Sequence, residues 1–148
     1  MQKVTFILLL LMNNLLSVGT YDSERAVKNG DVINMHGPIY NFARFEEFLE
    51  SVEAGEKATV RITNYALDGN PILYNVNFNG SVFKLEVDQS KNKNRGDSPQ
   101  KSRLSCEKLT REVGQQIYMY TLKECKQSAT DNFTLLNILK EQEDDHEH

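Results

Sequence analysis

The sequence lacks tryptophan and has only 3 prolines, 2 cysteines and 3 histidines among its 148 residues. It also lacks an excess of positive charge, since 17 cations face 21 acids and the formal net charge is -4. Non-specific nucleic-acid binding usually needs a basic face, so no nucleic-acid partner is expected. No internal repeat and no collagen, coiled-coil or prion-like bias is present, and the length suits one small domain.

Histidine is scarce enough to limit the catalytic schemes. His36 is the only histidine outside the C-terminal stretch, so a Ser–His pair would have to use it. No serine lies in a nucleophile-elbow motif. Asp31 precedes His36 by five positions, a spacing that points to opposite faces of a strand and about 140° apart on a helix. The two residues therefore form no local dyad, and His36 is retained only as a candidate binding residue.

The two cysteines, Cys106 and Cys125, are too far apart for zinc sites, in which paired cysteines usually stand two to four residues apart. Two buried free thiols are an alternative. An even count in an exported chain favours a disulfide, which for a loop of this length contributes about 3 kcal/mol. No metal site and no cofactor are expected.

One long apolar segment opens the chain. Lys3 precedes the run from Val4 to Leu11, and Ser17-Val18-Gly19 supplies small residues two apart. This pattern predicts a signal peptide over residues 1–19 and a secreted protein without a lasting membrane anchor. The alternative is an uncleaved anchor, although the run is shorter than the roughly 20 apolar residues that a spanning helix needs.

The clearest predicted element is an amphipathic helix in "NFARFEEFLESVEAG", with Asn41 as its N-cap and Gly55 at its end. Before it, Ser23 is expected to cap a short helical turn, and "DVINMHG" to form a strand. "NFTLLNIL", residues 132–139, is compatible with a strand or a helix, because its periodicity fits both.

The period then changes to two. "KATVRITNYA" and "ILYNVNFNGSVFKLEVD" alternate apolar and polar residues, and Asn79-Gly80 indicates a two-residue hairpin turn that sets Val76 opposite Phe83. The apolar residues of the two strands lie on one face only if the loop from Leu67 to Pro71 has an odd length, which sets Val60 opposite Phe78. The apolar face, which should pack on the helix, comprises Tyr74, Val76, Phe78, Phe83 and Leu85.

The remaining text completes an α+β prediction. Residues 89–102 have no apolar side chain and read as a mobile loop; two further strands should turn near Gly114, and residues 141–148 form an acidic, histidine-containing tail. We expect one amphipathic helix packed on an antiparallel sheet of about five strands, in a single domain over residues 20–140.

Arg61 and Tyr65 share one strand face with Thr63. If that face is open, these two residues are candidates to bind an anion or a polymer. The alternative is a solvated sheet face with the arginine lying over it.

"NGDVINMHG", "VRITNYALDGNPI" and the two late cysteines, in that order and spacing, resemble domain-of-unknown-function family 4362, small exported proteins of bacilli. The resemblance covers most of residues 24–125. It implies a bacterial envelope or secreted protein and no particular activity or functional residue. Family members often look like lipoproteins, but this chain has no cysteine before Cys106, which favours a released protein.

Three hypotheses for function follow. The first is a non-enzymatic binding or inhibitor module that acts on a protein or a cell-envelope polymer, because the chain is small, exported, disulfide-linked and without a coherent catalytic set. The second is a small hydrolase that uses His36 with partners brought in by the fold. The third is a structural envelope protein.

Overall fold

The computed structural model describes residues 21–127 and 129–144. The signal peptide predicted for residues 1–19 lies outside this part, as do residues 145–148 of the predicted tail. The described strands are β1 Val32–Asn34, β2 Ile39–Tyr40, β3 Ala58–Tyr65, β4 Pro71–Phe78, β5 Phe83–Asp88, β6 Lys101–Cys106, β7 Lys108–Val113, β8 Ile117–Lys123 and β9 Asn132–Leu139. The described helices are α1 Ser23–Lys28, α2 Phe42–Glu53 and α3 Lys140–Asp144.

The strands form two sheets rather than one. A six-stranded mixed sheet has the order β2-β1-β3-β4-β5-β6, and β7-β8-β9 form a separate antiparallel sheet. The α+β class is compatible with this mostly β architecture, but the expectation of one helix on a single five-stranded antiparallel sheet is wrong. Two features cause the difference. β1 pairs in parallel with β3, which is distant in sequence. The chain also leaves the first sheet after Cys106, and its next strands form the second sheet.

A main core lies between the two sheets and α2. It contains Phe45 and Phe48 of α2, Val76 of β4 and Leu122 of β8. Phe45 meets the Tyr120 ring edge-on at a centroid distance of 4.9 Å, which joins α2 to the second sheet. The apolar stripe predicted for α2 is therefore buried as expected.

A smaller cluster covers one end of the opposite face of the six-stranded sheet. It consists of Tyr21, Ala26, Ile33, Tyr65 and Leu73. The segment that begins at Tyr21 and continues into α1 is thus packed on the sheet. None of the helices in residues 21–127 and 129–144 has the length and apolar character needed to cross a membrane.

The alternation in β3, β4 and β5 is confirmed, but both hairpin registers differ from the prediction by two residues. Val76 pairs with Leu85 rather than Phe83, and Val60 pairs with Val76 rather than Phe78. A shift of two preserves which face each side chain occupies. The predicted apolar face is therefore correct although its partners are not.

The conformation of the turn between β4 and β5 explains the register in which these two strands pair. The Asn79 side-chain oxygen accepts hydrogen bonds from the backbone N–H groups of Ser81 and Val82 at 3.0 and 2.8 Å. This interaction makes Asn79 the first residue of the turn and leaves Gly80 (φ 98°) and Ser81 at its centre. The turn was predicted one residue too early, at Asn79-Gly80.

The β3–β4 loop is odd in length as predicted, but it comprises three residues, Leu67 to Gly69, rather than the five from Leu67 to Pro71. Gly69 N–H donates to the Ala66 carbonyl at 2.8 Å, and Ala66 N–H donates to the Asn70 carbonyl at 2.9 Å. Gly69 has φ 80°, the left-handed conformation that a three-residue hairpin loop places at this position. The hydrogen-bonded pair of Ala66 and Asn70 also fixes which backbone groups of β3 face β4.

The helix caps differ from the prediction in both helices. Asp22, not Ser23, caps α1: its carboxylate accepts the Arg25 backbone N–H at 2.8 Å, and Ser23 is already the first helical residue. Asn41 precedes α2 but has φ 57° and makes no side-chain cap. Its amide donates instead to the Asp31 carbonyl at 3.0 Å, so this residue connects α2 to the start of β1.

The disulfide between Cys106 and Cys125 is confirmed, with Cα atoms 3.9 Å apart, closer than the roughly 4.4–6.8 Å that most bridges span. It does not tie two neighbouring strands of one sheet. Cys106 ends β6 of the first sheet and Cys125 follows β8 of the second, so the bond joins the sheets.

The segment around the two cysteines forms three strands, β6, β7 and β8, rather than the two that were predicted. β7 and β8 are joined by a turn near Gly114, as predicted. Residues 132–139 are the strand β9. β6 begins at Lys101, so the last two residues of the predicted loop 89–102 are in a strand. The first residues of the predicted tail form part of α3.

Candidate functional site

A buried carboxylate at the start of β1 organises the region around the candidate residues. Asp31 is only 2% exposed. It accepts hydrogen bonds from the Tyr21 hydroxyl and from Thr63 Oγ1, the latter at 2.8 Å. Arg61 Nη1 lies 3.8 Å from Asp31 Oδ1. The acid is therefore stabilised as a buried anion by two hydroxyl donors and one cation.

Arg61 is held in place from two sides. Its Nε donates to Asn75 Oδ1 at 2.8 Å across the β3–β4 pair, and its Nη1 donates to the Tyr21 hydroxyl at 3.5 Å. The side chain remains 42% exposed. Arg61 is thus a positioned cation at the surface, with one end of its guanidinium used by the buried network.

Tyr65 lies on the face of β3 that the sequence analysis considered as a possible open binding face. This part of the face is covered by the segment that begins at Tyr21. The Tyr65 hydroxyl donates to the Tyr21 carbonyl at 3.0 Å, and its side chain belongs to the small cluster beneath α1. Burial raises the pKa of Tyr65 to about 12, with the neighbouring charges of Tyr21, Asp22 and Asp31 acting in the same direction. Tyr65 fixes the N-terminal segment to the sheet.

A groove of about 720 Å³ opens beside Asp31, between α2 and the first half of β3. Four consecutive residues of β3, from Ala58 to Arg61, line it together with Arg44 and Glu47 of α2. Asn75, Val76 and Asn77 of β4 line it as well. The groove therefore lies against the first half of β3 and the part of β4 that pairs with it.

The pairing of β3 supports this geometry. β4 pairs with all of β3, whereas β1 pairs only with Ile62, Thr63 and Asn64. Ala66 and Asn70 form a hydrogen-bonded pair, so the alternation of an antiparallel ladder directs the backbone N–H and C=O of Thr59 away from β4, toward the groove. Among the described strands, none pairs with β3 there.

His36 lies apart from this network. It is exposed, has φ 59° and lines a separate pocket of about 390 Å³ with Asp22, Ser23 and Tyr65. Within the described contacts its imidazole has no hydrogen-bond partner, and the Asp22 carboxylate is used to cap α1. The fold thus places a serine and an acid near His36 without forming a nucleophile–base pair.

A second cluster of polar side chains lies between α2 and the second sheet, and no sequence pattern predicts it. Glu143 of α3 accepts the Tyr120 hydroxyl at 2.9 Å and lies 3.0 Å from Arg111 Nη2. Burial raises the pKa of Tyr120 above its usual value, and the hydrogen bond to Glu143 adds to this effect. This contact fixes the polar C-terminal stretch to β7 and β8.

Sequence reasoning also missed the partners of Asp31. It compared Asp31 with His36, which is close in sequence, whereas the partners come from Tyr21, Arg61 and Thr63. Tyr21 follows the predicted signal peptide, a position that carries no pattern for such a role. No cluster of three or more possible metal ligands is found in the part of the chain that the structure describes.

The fold and this region define a small disulfide-linked domain of two sheets, with a buried acid network beside an open strand edge. The chain belongs to the family described as Domain of unknown function (DUF4362), whose model matches residues 29–121. This match confirms the resemblance, and it includes Asp31, α2 and the whole groove. No curated protein and no solved structure matches the chain.

Proposed function

We propose that this protein is an exported, non-enzymatic binding module that captures an extended segment of a partner protein along the open edge of β3. The observation that carries this proposal is the groove in which the backbone groups of Thr59 face outward beside α2. An extended peptide placed there would add one strand to the six-stranded sheet. Strand addition gives affinity through main-chain hydrogen bonds and specificity through side-chain contacts.

The open edge is short, which suits recognition rather than aggregation. It covers Ala58 to Arg61 and is bounded by the start of β1 at one end and the polar face of α2 along its side. At about 3.3 Å per residue, it accommodates a segment of roughly four residues. Edges limited in this way, with charged side chains next to them, resist indiscriminate pairing.

Export remains part of the proposal. The pattern of residues 1–19 and the Cys106–Cys125 bond support a secreted protein, because disulfides persist in oxidising compartments. The alternative is that residues 1–19 are not cleaved and retain the protein at the membrane. In either location the groove would face partner proteins or the polymers of the envelope, and the backbone geometry favours a polypeptide.

The Thr59→Pro substitution tests the main-chain interaction. Proline removes the N–H that faces the groove, while the hydrogen bonds of β3 to β4 use other residues, and proline is tolerated on strand edges. A display library of short random peptides would be selected on the secreted protein, and the affinity of an enriched peptide measured by titration. We expect Thr59→Pro to weaken binding about tenfold or more, since a lost hydrogen bond and a clash both oppose pairing.

Thr59→Ala is the matched control, because it changes the same exposed side chain and keeps the N–H. It should bind as the wild type does, and both variants should keep a cooperative unfolding transition. Selection of no peptide, or equal binding by the folded Thr59→Pro protein, would show that the edge of β3 is not the binding site.

A further inference from the structure

The guanidinium of Arg44 has a defined position at the end of the groove. Arg44 lies in the first turn of α2, and its side chain is 60% exposed. A Cβ atom on residue 30 would lie 3.4 Å from Arg44 Nη2 and 3.6 Å from its Nε, so Gly30 supplies the space beside which the guanidinium rests. Gly30 has φ 77°, which glycine adopts without strain.

Two nitrogens of this guanidinium, Nε and Nη2, make no hydrogen bond among the described residues. Its Nη1 donates to Glu47 Oε2 at 3.2 Å, and no other hydrogen bond of Arg44 side-chain atoms occurs among the described residues. Nε and Nη2 together form the two parallel donors that bind a carboxylate in bidentate fashion. Arg44 and Thr59 line the same groove.

The accessible charge of the groove is positive, although the whole chain is acidic. Arg44, Lys57 and Arg61 line it, and Lys57 forms no ion pair within the described part. Of the two acids, Asp31 is buried with its own donors, and only Glu47 is accessible. A ligand group that enters this groove therefore meets more exposed cations than anions.

Arg44 contributes little to the fold. Its pair with Glu47 is an exposed i,i+3 contact, with both side chains more than half exposed. Exposed pairs of this kind contribute little to stability, because solvent screens them and both side chains lose freedom. The position of the guanidinium over Gly30 is thus available for recognition rather than required for folding.

We propose that the extended segment bound at β3 carries an aspartate or glutamate, and that Arg44 is the residue that selects this carboxylate. This inference rests on the proposed function. The backbone edge of Thr59 holds the main chain of the segment, and Nε and Nη2 of Arg44 receive the acidic side chain. Lys57 and Arg61 add to the positive potential along the groove.

The test compares the peptides that different variants select from the same random display library. The wild type should enrich peptides with an acid at one fixed position, and changing that residue to its amide should weaken binding about tenfold, as expected for a charge-assisted hydrogen bond. Arg44→Gln should select without this preference. Arg103→Gln is the matched control, because Arg103 is also an exposed arginine paired with a glutamate, Glu86, but lies outside the groove.

The outcomes separate the two proposals. Enriched peptides without an acidic preference, or a preference that persists in folded Arg44→Gln, would overturn the role of Arg44 while leaving strand addition intact. Enrichment of no peptide at all would overturn both. Loss of the preference in Arg103→Gln as well would show that the preference follows from overall charge rather than from Arg44.

Discussion

The two halves of β3 have different surroundings although they belong to one continuous strand. In the second half, Thr63 and Tyr65 are buried beneath the N-terminal segment, and β1 pairs with the strand edge. In the first half, Thr59 and Arg61 are exposed, and the edge faces a groove. Both halves alternate in the same way, so the pattern of β3 itself does not distinguish them.

The difference arises outside β3, from the length of β1 and the contacts of the N-terminal segment. β1 begins at Val32, opposite Ile62, and Asp31 just before it collects the donors of Tyr21 and Thr63. The buried acid thus marks the boundary between the closed and the open half. The stabilising network and the candidate binding site are neighbours because β1 begins at their common boundary. It pairs with the closed half of β3 and leaves the edge of the open half unpaired.

Removing Asp31 should have the largest effect on the closed half. Asp31→Ala leaves the buried hydroxyls of Tyr21 and Thr63 without an acceptor and Arg61 without its counter-ion, so we expect a loss of about 3 kcal/mol in the free energy of unfolding. Urea denaturation of the wild type and the variant measures it. Asp97→Ala, at an exposed position, is the control and should stay within about 0.5 kcal/mol. Equal effects of the two changes would contradict the central role of Asp31.

The alternation of apolar and polar residues predicted which face of each strand is buried. The alternation of β3 to β5 gave the correct face for Val60, Val76 and Phe78. The register was missed by two residues because the Asn79 side chain binds the turn backbone, a choice that the dipeptide Asn-Gly does not reveal. The disulfide could be predicted from cysteine count, but not the fact that it joins two sheets.

The rest depends on contacts between distant segments. The parallel pairing of β1 with β3, the docking of Tyr21 and the burial of Glu143 in α3 have no periodic signature. For the candidate site, the sequence singled out Arg61, which does line the groove. It could not supply Arg44, because a charged residue on the outer face of an amphipathic helix is ordinary until the neighbouring glycine and strand edge are known.

Thr63 and Thr59 allow the two halves to be compared with one chemical change. They lie on the same face of the same strand; Thr63 is buried and donates to Asp31 at 2.8 Å, whereas Thr59 is exposed. Thr63→Ala should cost about 2 kcal/mol, from a lost hydrogen bond to a charged group and lost packing. Thr59→Ala should cost less than about 0.5 kcal/mol. Similar losses in parallel urea titrations would show that the two halves are equally structured.

Tyr65→Phe tests the cover of the closed half by its pH dependence. Below pH 10 the variant should lose about 1 kcal/mol, because the hydrogen bond to the Tyr21 carbonyl is absent. The pKa of Tyr65 is raised from 10.0 to about 12 in the folded protein. Above pH 10 the unfolded state therefore releases this proton first, and the stability that the hydroxyl contributes is lost as the pH rises toward 12.

The difference in unfolding free energy between the wild type and Tyr65→Phe should consequently shrink as the pH rises from about 10 toward about 12. Other tyrosines, including Tyr74 and Tyr120 with their raised pKa values, are present in both proteins and cancel in this difference. A difference that stays constant with pH would mean that the Tyr65 hydroxyl ionises equally easily in both states. The N-terminal segment would then not bury Tyr65 in solution, and the second half of β3 would be as open as the first.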